Sequence, residues 1–271
     1  MRVRIQAAAG LLPVNGTLAA VLLVLLVIAA AVAAVYRLSP DGSRRRARDI
    51  AVAGIRAAVQ LAVVSLLIGW VVRHGAALLA FLLLMLAVAA RTAGRRLTPN
   101  RTWFWAALPI AAPVTPLVAA LIACGLLPLR GIAVIPVTGI LIGGALTGTV
   151  LAGRRALDEL TARKGEVEAC LALGLLPHEA RLEIARPTAS DALLPGLDQT
   201  RTVGLVTLPG AFVGMLLGGA SPVTAGAVQL FVLVALLAVQ ALAVATTVEL
   251  VARGRLHREP SEVRGRGRGA T

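Results

Sequence analysis

Long stretches of the chain show neither the alternation of a half-buried strand nor the one-sided stripe of a surface helix; they are apolar all round. Such runs fall at 17–35, 50–72, 75–90, 104–126, 131–152, 202–220 and 223–248, separated by shorter segments rich in arginine. Crossing a hydrocarbon layer about 30 Å thick takes roughly 17–25 helical residues. The pattern therefore predicts an all-α integral membrane protein with about seven transmembrane helices. The run at 75–90 is the shortest, and it crosses with Arg73 and Arg91 snorkelling at its ends.

Composition agrees with that reading. Of 271 residues, 58% are hydrophobic and 15% charged, against about 45–50% and 25% in a soluble domain. The net charge of +14 does not point to nucleic acid, because base stacking needs aromatic platforms and these make up 3% of the chain. The basic residues instead alternate by side. Taking the N-terminus as side one, the segments on its side carry 4 Lys or Arg and those on the other side 22, with Arg56 inside a span. Basic residues are retained in the cytoplasm, so the expected topology is N-terminus outside and C-terminus cytoplasmic. Arg2 and Arg4 before the first run also suit a cleaved signal, though the apolar stretch is long for one. The tail at 253–271 reads as a solvated basic end near anionic lipid. Cys124 and Cys170 fall on opposite sides and read as small apolar fillers.

Most connections are short, which makes the cytoplasmic segment 153–201 the place where a soluble partner can dock. Leu157, Leu160, Val167 and Leu171 recur at helical spacing among charged residues, so the fifth span is expected to continue as an amphipathic helix. Gly174 is its stop, Pro177 opens a second helix, Pro187 ends that one, and Ser190 or Asp191 caps the next. Leu175 and Leu176 then sit at a bend, where two leucines call for a partner's hydrophobic groove. The alternative is a helical hairpin folded back on its own bundle.

Within this segment Glu168-Ala169-Cys170, three residues, Gly174, nine residues and Ile184-Ala185-Arg186-Pro187 resemble the E-A-A, x3, G, x9, I-x-L-P motif of bacterial ABC-transporter permeases. The likeness extends over about 50–250. Arg56 with Gln60 and Leu61, Ile135-Pro136 with Gly139 and Gly143, Asp198, the run from Thr202 to Gly210, and Ser221-Pro222 with Ala225 and Gln229 are similar to the FetB-type family of ABC permeases. The resemblance implies a permease that exports metal, iron in the bacterial members, with plant relatives linked to aluminium tolerance. It implies a separate ATP-binding-cassette ATPase contacting Glu168, Ala169, Gly174, Leu175, Leu176, Ile184 and Pro187 through a coupling-helix elbow. ATP would be bound by that subunit and no cofactor by this chain. Two departures concern the cargo: Gly144 stands where the family has Asn, and Ala211-Phe212 replaces a Met-Met pair whose sulfurs suit soft metals.

Arg56 lies roughly 10 Å into the second span, at 1.5 Å per residue, with Gln60 one turn further on the same face. This pair, Thr207, Pro209 and Gln229 are the candidate transport-pathway residues. Pro209 is expected to kink the sixth span, and the glycines at four-residue spacing (139/143, 144/148, 210/214/218) to let helices pack closely. His74, His178 and His257 lie in separate connections, so the metal ligands stay unassigned. The single lysine, Lys164, is not in a phosphate-binding loop, so ATP hydrolysis belongs to another polypeptide. The expected protein is thus a permease subunit, paired with a second copy, in the bacterial inner membrane. A secondary transporter or channel that needs no ATPase is the competing class.

Overall fold

The computed structural model describes residues 15–39, 45–72 and 74–258. It is almost wholly helical. Its elements are α1 (Gly16–Val35), α2 (Arg45–Val71), α3 (Gly75–Leu97), α4 (Ala107–Ala123), α5 (Gly131–Ala162), α6 (Lys164–Ala172), α7 (Pro177–Ala189), α8 (Leu194–Thr202), α9 (Gly210–Leu217) and α10 (Pro222–Ala252). Two 3-10 turns, Arg101–Ala106 and Ser190–Leu193, lead into α4 and α8. Six helices among the described residues are long and apolar enough to cross a membrane: α1, α2, α3, α4 with its leading turn, α5 and α10.

The described chain forms two compact units that divide at Trp70. The first holds α1 and α2. Asn15 caps α1 by accepting a hydrogen bond from the Leu18 amide at 3.0 Å, and Leu26 closes over Gly54 where a side chain would collide with it. Apart from Ala33 at one end and Val71 at the other, no residue of these two helices is buried. That is the surface expected of helices whose solvent is hydrocarbon.

The second unit is a bundle built on α5 and α10. Gly144 and Gly148 let the two backbones approach, since a Cβ on Gly144 would collide with Leu236 and one on Gly148 would lie 3.5 Å from the Gln240 carbonyl, while a Cβ on Gly153 would lie 2.8 Å from Leu97 of α3. The small-residue packing expected of 144/148 is therefore present. By contrast Gly143, Gly210 and Gly214 face open space, and those three do no packing within the chain. The core between α3, α4, α5 and α10 is formed by Ile110, Val114, Leu141, Ala145 and Val239 among others.

Charge separates the two ends of this bundle. At one end the Arg154 Nε donates to the Arg96 carbonyl at 3.3 Å and the Arg258 Nε to the Leu97 carbonyl at 3.0 Å, while Arg258 also pairs with Asp158. Asn100 donates to the His257 carbonyl at 2.8 Å. The C-terminal ends of α3, α5 and α10 thus share a face with the start of α4, and their arginines collect there. Arg130, before α5, stands at the opposite end.

Several expectations need correction. The span at 202–220 is not one helix: α8 ends at Thr202, residues 203–209 are irregular, and α9 has 8 residues. Gly204 takes a positive φ of 84°, and Pro209 is the extended N-cap of α9 instead of a kink inside a helix. Pro187 does not end α7, which continues to Ala189; the proline only removes one donor, and the Ser190 hydroxyl donates to its carbonyl at 2.6 Å. Ser190 is thus the C-cap of α7, its amide donating to the Arg186 carbonyl, and not the N-cap of the next helix, and Asp191 pairs with Arg155 at 3.0 Å. Helix α3 runs seven residues past the expected end at 90, stacking Arg91 and Arg95 on the Trp103 ring at 5.8 and 5.7 Å. Cys124 is exposed and Cys170 half-buried, so neither fills a core. Of the tail expected at 253–271, residues up to 258 are docked: Leu256 is 1% exposed and Arg255 lies over Trp105 at 5.1 Å. The remainder lies outside the described residues, as do Arg2, Arg4 and Arg73.

Candidate functional site: an elbow on the basic end and a broken crossing beside it

Helix α5 continues well past its apolar part, as its leucine pattern requires, and stops at Ala162. Arg163 then leaves helical geometry, and α6 starts one residue later. The junction is clamped by Arg163, which reaches Glu159 at 3.3 Å and grips Glu166 with two nitrogens. That grip holds the Glu166 carboxyl below its usual range. Gly174 closes α6 with φ 95°, where a Cβ would be strained, and the Glu179 carboxylate accepts from the Leu176 amide at 3.1 Å to open α7 at Pro177. Tight turn and second helix are therefore formed as their residues predict, while the first arm is corrected: the continuation of α5 is interrupted at Arg163 and only the separate α6 runs on to the Gly174 stop.

The elbow is greasy and outward-facing. Leu173 is 82% exposed and Leu176 64%, with Leu171 also exposed and Leu175 half-buried. Glu168, Ala169, Gly174 and Pro187 are exposed as well. Ile184 is not: at 4% exposure it packs into the bundle, and its role as a contact is corrected to that of an anchor. Leu173 is an exposed leucine of the elbow that sequence reasoning missed, although it precedes the stop glycine by one residue.

The elbow's second arm is bolted down. Ala185 and Ala189 of α7 sit in a core with Ala156, Leu157, Val248 and Val251. His178 Nε2 lies 3.1 Å from Glu249 Oε1, which also takes a hydrogen bond from Arg253, and Arg181 reaches the Ala252 carbonyl at 3.4 Å. A displacement of α7 must accordingly move α5 and α10.

From α7 the chain runs back along α10 in two pieces. Gly196 of α8 rests on Leu237 and the Gln240 carboxamide, so tightly that a Cβ would collide. Further on, Val203, Gly204, Leu208, Pro209 and Phe212 enclose a cavity of about 180 Å³ with Gly226, Gln229, Leu230 and Leu233. Part of the break at 203–209 pairs locally: the Thr202 carbonyl accepts from Val206 at 2.9 Å and from Thr207 at 3.3 Å, and Gly204 donates to the Thr207 carbonyl at 2.9 Å. This local pairing helps irregular backbone sit beside a membrane-spanning helix. Leu205 and Val206, at 93% and 78% exposure, form its outward tip.

Of the five candidate pathway residues, Pro209 and Gln229 line this cavity. Thr207 belongs to the same turn but is exposed and not in the lining. Arg56 and Gln60 are exposed on α2, in the first unit. Gln229 is 5% exposed and its Oε1 has no hydrogen-bond partner; the same holds for Oε1 of Gln240, at 7% exposure. A buried acceptor left unmatched costs about 1–3 kcal/mol, and such groups inside a membrane mark sites of function more often than of stability. Among the described residues no group of three or more His, Cys, Asp or Glu converges as a metal site.

The model of one family matches residues 17–255, and its description is "Uncharacterised protein family (UPF0014)". The chain belongs to this family. It is 34% identical over 200 residues to the UPF0014 membrane protein YjkA of Bacillus subtilis, covering 72% of this chain and 79% of that one. It is 36% identical over 166 residues to the protein ALUMINUM SENSITIVE 3 of Arabidopsis thaliana, covering 61% of this chain and 58% of the relative. Over 136 residues it is 31% identical to the probable iron export permease protein FetB of Escherichia coli, with 50% of this chain and 52% of FetB aligned. The alignment thus spans about half of FetB's length. No solved structure matches the chain. Within UPF0014, the multi-pass helical membrane architecture described above is the frame for the elbow and the broken crossing.

Proposed function

We propose that this UPF0014 chain is the permease subunit of an ABC transporter, in which two copies each offer the 166–187 elbow to a separate ATP-binding-cassette ATPase. The observation that carries the reading is the pair Leu173 and Leu176, exposed on a short turn whose second arm is fixed to α5 and α10. Exposed leucines on a firmly held protrusion suit helix-in-groove docking. ATP belongs to the partner, and this chain acts as a transport subunit and not as an enzyme. Closure of the ATPases would move the elbows and, through α5 and α10, open the path beside the broken crossing alternately to each side. Iron export is the proposed activity, supported by the name of the Escherichia coli relative. The gathering of arginines at the elbow end supports a cytoplasmic C-terminus and an outside N-terminus in a bacterial inner membrane.

Co-purification with an ATP-binding-cassette subunit tests the proposal. Leu176→Asp and Glu168→Arg should each abolish it while leaving the fold intact; unchanged association in both refutes the docking. One observation favours a second reading, a transporter or channel without an ATPase: a discontinuous crossing against a continuous helix is the construction used by many gradient-driven carriers. Transport by the purified chain alone, driven by a proton or sodium gradient, would establish that class instead.

A further inference from the structure

A half-open apolar pocket in the second unit lies away from both the elbow and the broken crossing. It is a cavity of about 400 Å³ between α3, α4 and α5, toward the end that bears Gly75 and Leu129. Its walls are hydrocarbon, chiefly Leu78, Leu82, Leu86, Val118 and Ile142, and its size falls within the roughly 300–1,000 Å³ range of small-molecule sites. Two hydroxyls interrupt the hydrocarbon: Thr115 from α4 and Thr138 from α5.

Thr138 is the informative one. A threonine in an apolar helix ordinarily donates its hydroxyl to the carbonyl four residues earlier, and this chain does so repeatedly: Thr147 to Gly143 at 2.9 Å, Thr161 to Leu157 at 2.8 Å, Thr200 to Gly196 at 2.9 Å and Thr247 to Ala243 at 2.6 Å. The hydroxyls of Thr138, 5% exposed, and of Thr149, 0% exposed, make no such bond and have no partner, and of the two it is Thr138 that lines the cavity. The local escape that costs nothing is left unused at a residue lining the cavity. A buried hydroxyl left in this way is matched by whatever fills the space beside it.

We infer that this cavity is a binding site for a lipid-soluble ligand with a hydrocarbon body and one hydroxyl or carbonyl oxygen, the oxygen meeting Thr138. Leucine walls supply affinity by removing apolar surface from contact with water or loosely packed lipid, and the threonine supplies orientation. The site does not depend on an ATPase or on the cargo proposed above.

A photoactivatable long-chain fatty alcohol is the probe, applied to the full chain in nanodiscs and mapped by peptide mass spectrometry. Label should concentrate on 75–86, 114–122 and 129–142 and be competed by unlabelled fatty alcohol. Thr138→Val, which keeps the shape and removes the donor, should weaken competition about two- to tenfold, the worth of one neutral hydrogen bond. Leu79→Trp, at an exposed position of the cavity lining where the added volume does not overpack a buried site, should fill the space and abolish the label there without lowering the thermal midpoint of unfolding. If either variant unfolds, the same competition is read on Thr138→Ser, which should retain wild-type binding. Label spread evenly over the lipid-facing surfaces of α1 and α2, or indifferent to both Thr138→Val and Leu79→Trp, overturns the inference.

Discussion

Truncating the elbow's two most exposed leucines should detach the ATPase without disturbing the membrane bundle. Full burial of a leucine side chain is worth about 1.5–3 kcal/mol. Scaled by the exposure that docking would remove, 82% at Leu173 and 64% at Leu176, the two together carry roughly 2–4 kcal/mol if a groove covers them completely. At about 1.4 kcal/mol per decade, Leu173→Ala with Leu176→Ala should weaken binding roughly 30- to 800-fold, and each single change by around tenfold. Neither leucine contributes to the buried core, so stability should change by no more than about 0.5 kcal/mol. The assay is a titration of fluorescently labelled ATPase subunit onto the chain in nanodiscs, with the thermal midpoint measured in parallel. A double variant that binds within twofold of the wild type refutes the elbow as the docking surface. A double variant that loses binding and also melts early refutes the claim that these side chains are free of the fold.

Three other outcomes are expected. Gly94→Ala should destabilise the second unit by about 1–3 kcal/mol, read as a lower denaturation midpoint, because a Cβ there would collide with the Trp103 carbonyl, which is backbone and cannot swing aside. Gln229→Leu should leave stability unchanged or raised, since it removes an unmatched buried acceptor, yet reduce transport in reconstituted vesicles; unchanged transport would remove Gln229 from the pathway. Acidification should loosen the α5–α6 junction: the Glu166 carboxyl is depressed by its hydrogen bonds from Arg163, so its contribution is present above the ordinary value of 4.5 and disappears as pH falls through the lower folded value. Hydrogen-exchange protection factors at residues 163–170, which correct for the slower intrinsic exchange in acid, should therefore fall on acidification in the wild type, and Glu166→Gln should flatten that dependence.

The sequence is most informative where a rule is local and strong. Unbroken apolar runs identify α1, α2, α4, α5 and α10, and the glycine and proline at 174 and 177 place the elbow to the residue. It is least informative where two local effects compete. The run at 202–220 is as apolar as its neighbours, so hydropathy alone reads it as a helix. What breaks it is the conjunction of Gly204 in the left-handed region and Pro209 without a donor, together with a turn that pairs four of its amides with the Thr202 and Thr207 carbonyls. Pro187 erred in the other direction, because a proline near a helix end removes one bond and need not stop the helix. Ile184 shows a further limit: a motif position gives a residue type and a spacing, while burial depends on which face the rest of the bundle covers. The unmatched oxygens of Gln229 and Thr138 have no sequence signal at all, for Thr147, Thr161 and Thr247 in the same helices bond within their own turn while Thr149 and Gln240 do not.

Distance and continuity decide how the two parts of the site can be linked. Helix α10 is uninterrupted from Pro222 to Ala252, with Gln229 at the cavity and Glu249 at the elbow. Those residues are 20 positions apart, about 30 Å at 1.5 Å per residue, which is the thickness of the hydrocarbon core. A push on α7 therefore reaches the cavity's level through one stiff rod. The same push reaches it by a second route, along α8, which ends directly in the irregular turn. A rod and a hinged strand driven from one point cannot move equally, because the rod transmits displacement whole while the turn at 203–209 can absorb it in its backbone angles. The difference appears where they face each other, across the cavity that holds Gln229. Gly196, wedged against the Gln240 carboxamide, fixes the upper part of the strand to the rod, so the relative motion is confined to residues beyond it. Loosening that wedge with Gly196→Ala should thus lower transport more than ATPase docking, and equal losses of both would argue that α8 is part of the elbow's foundation instead of its lever.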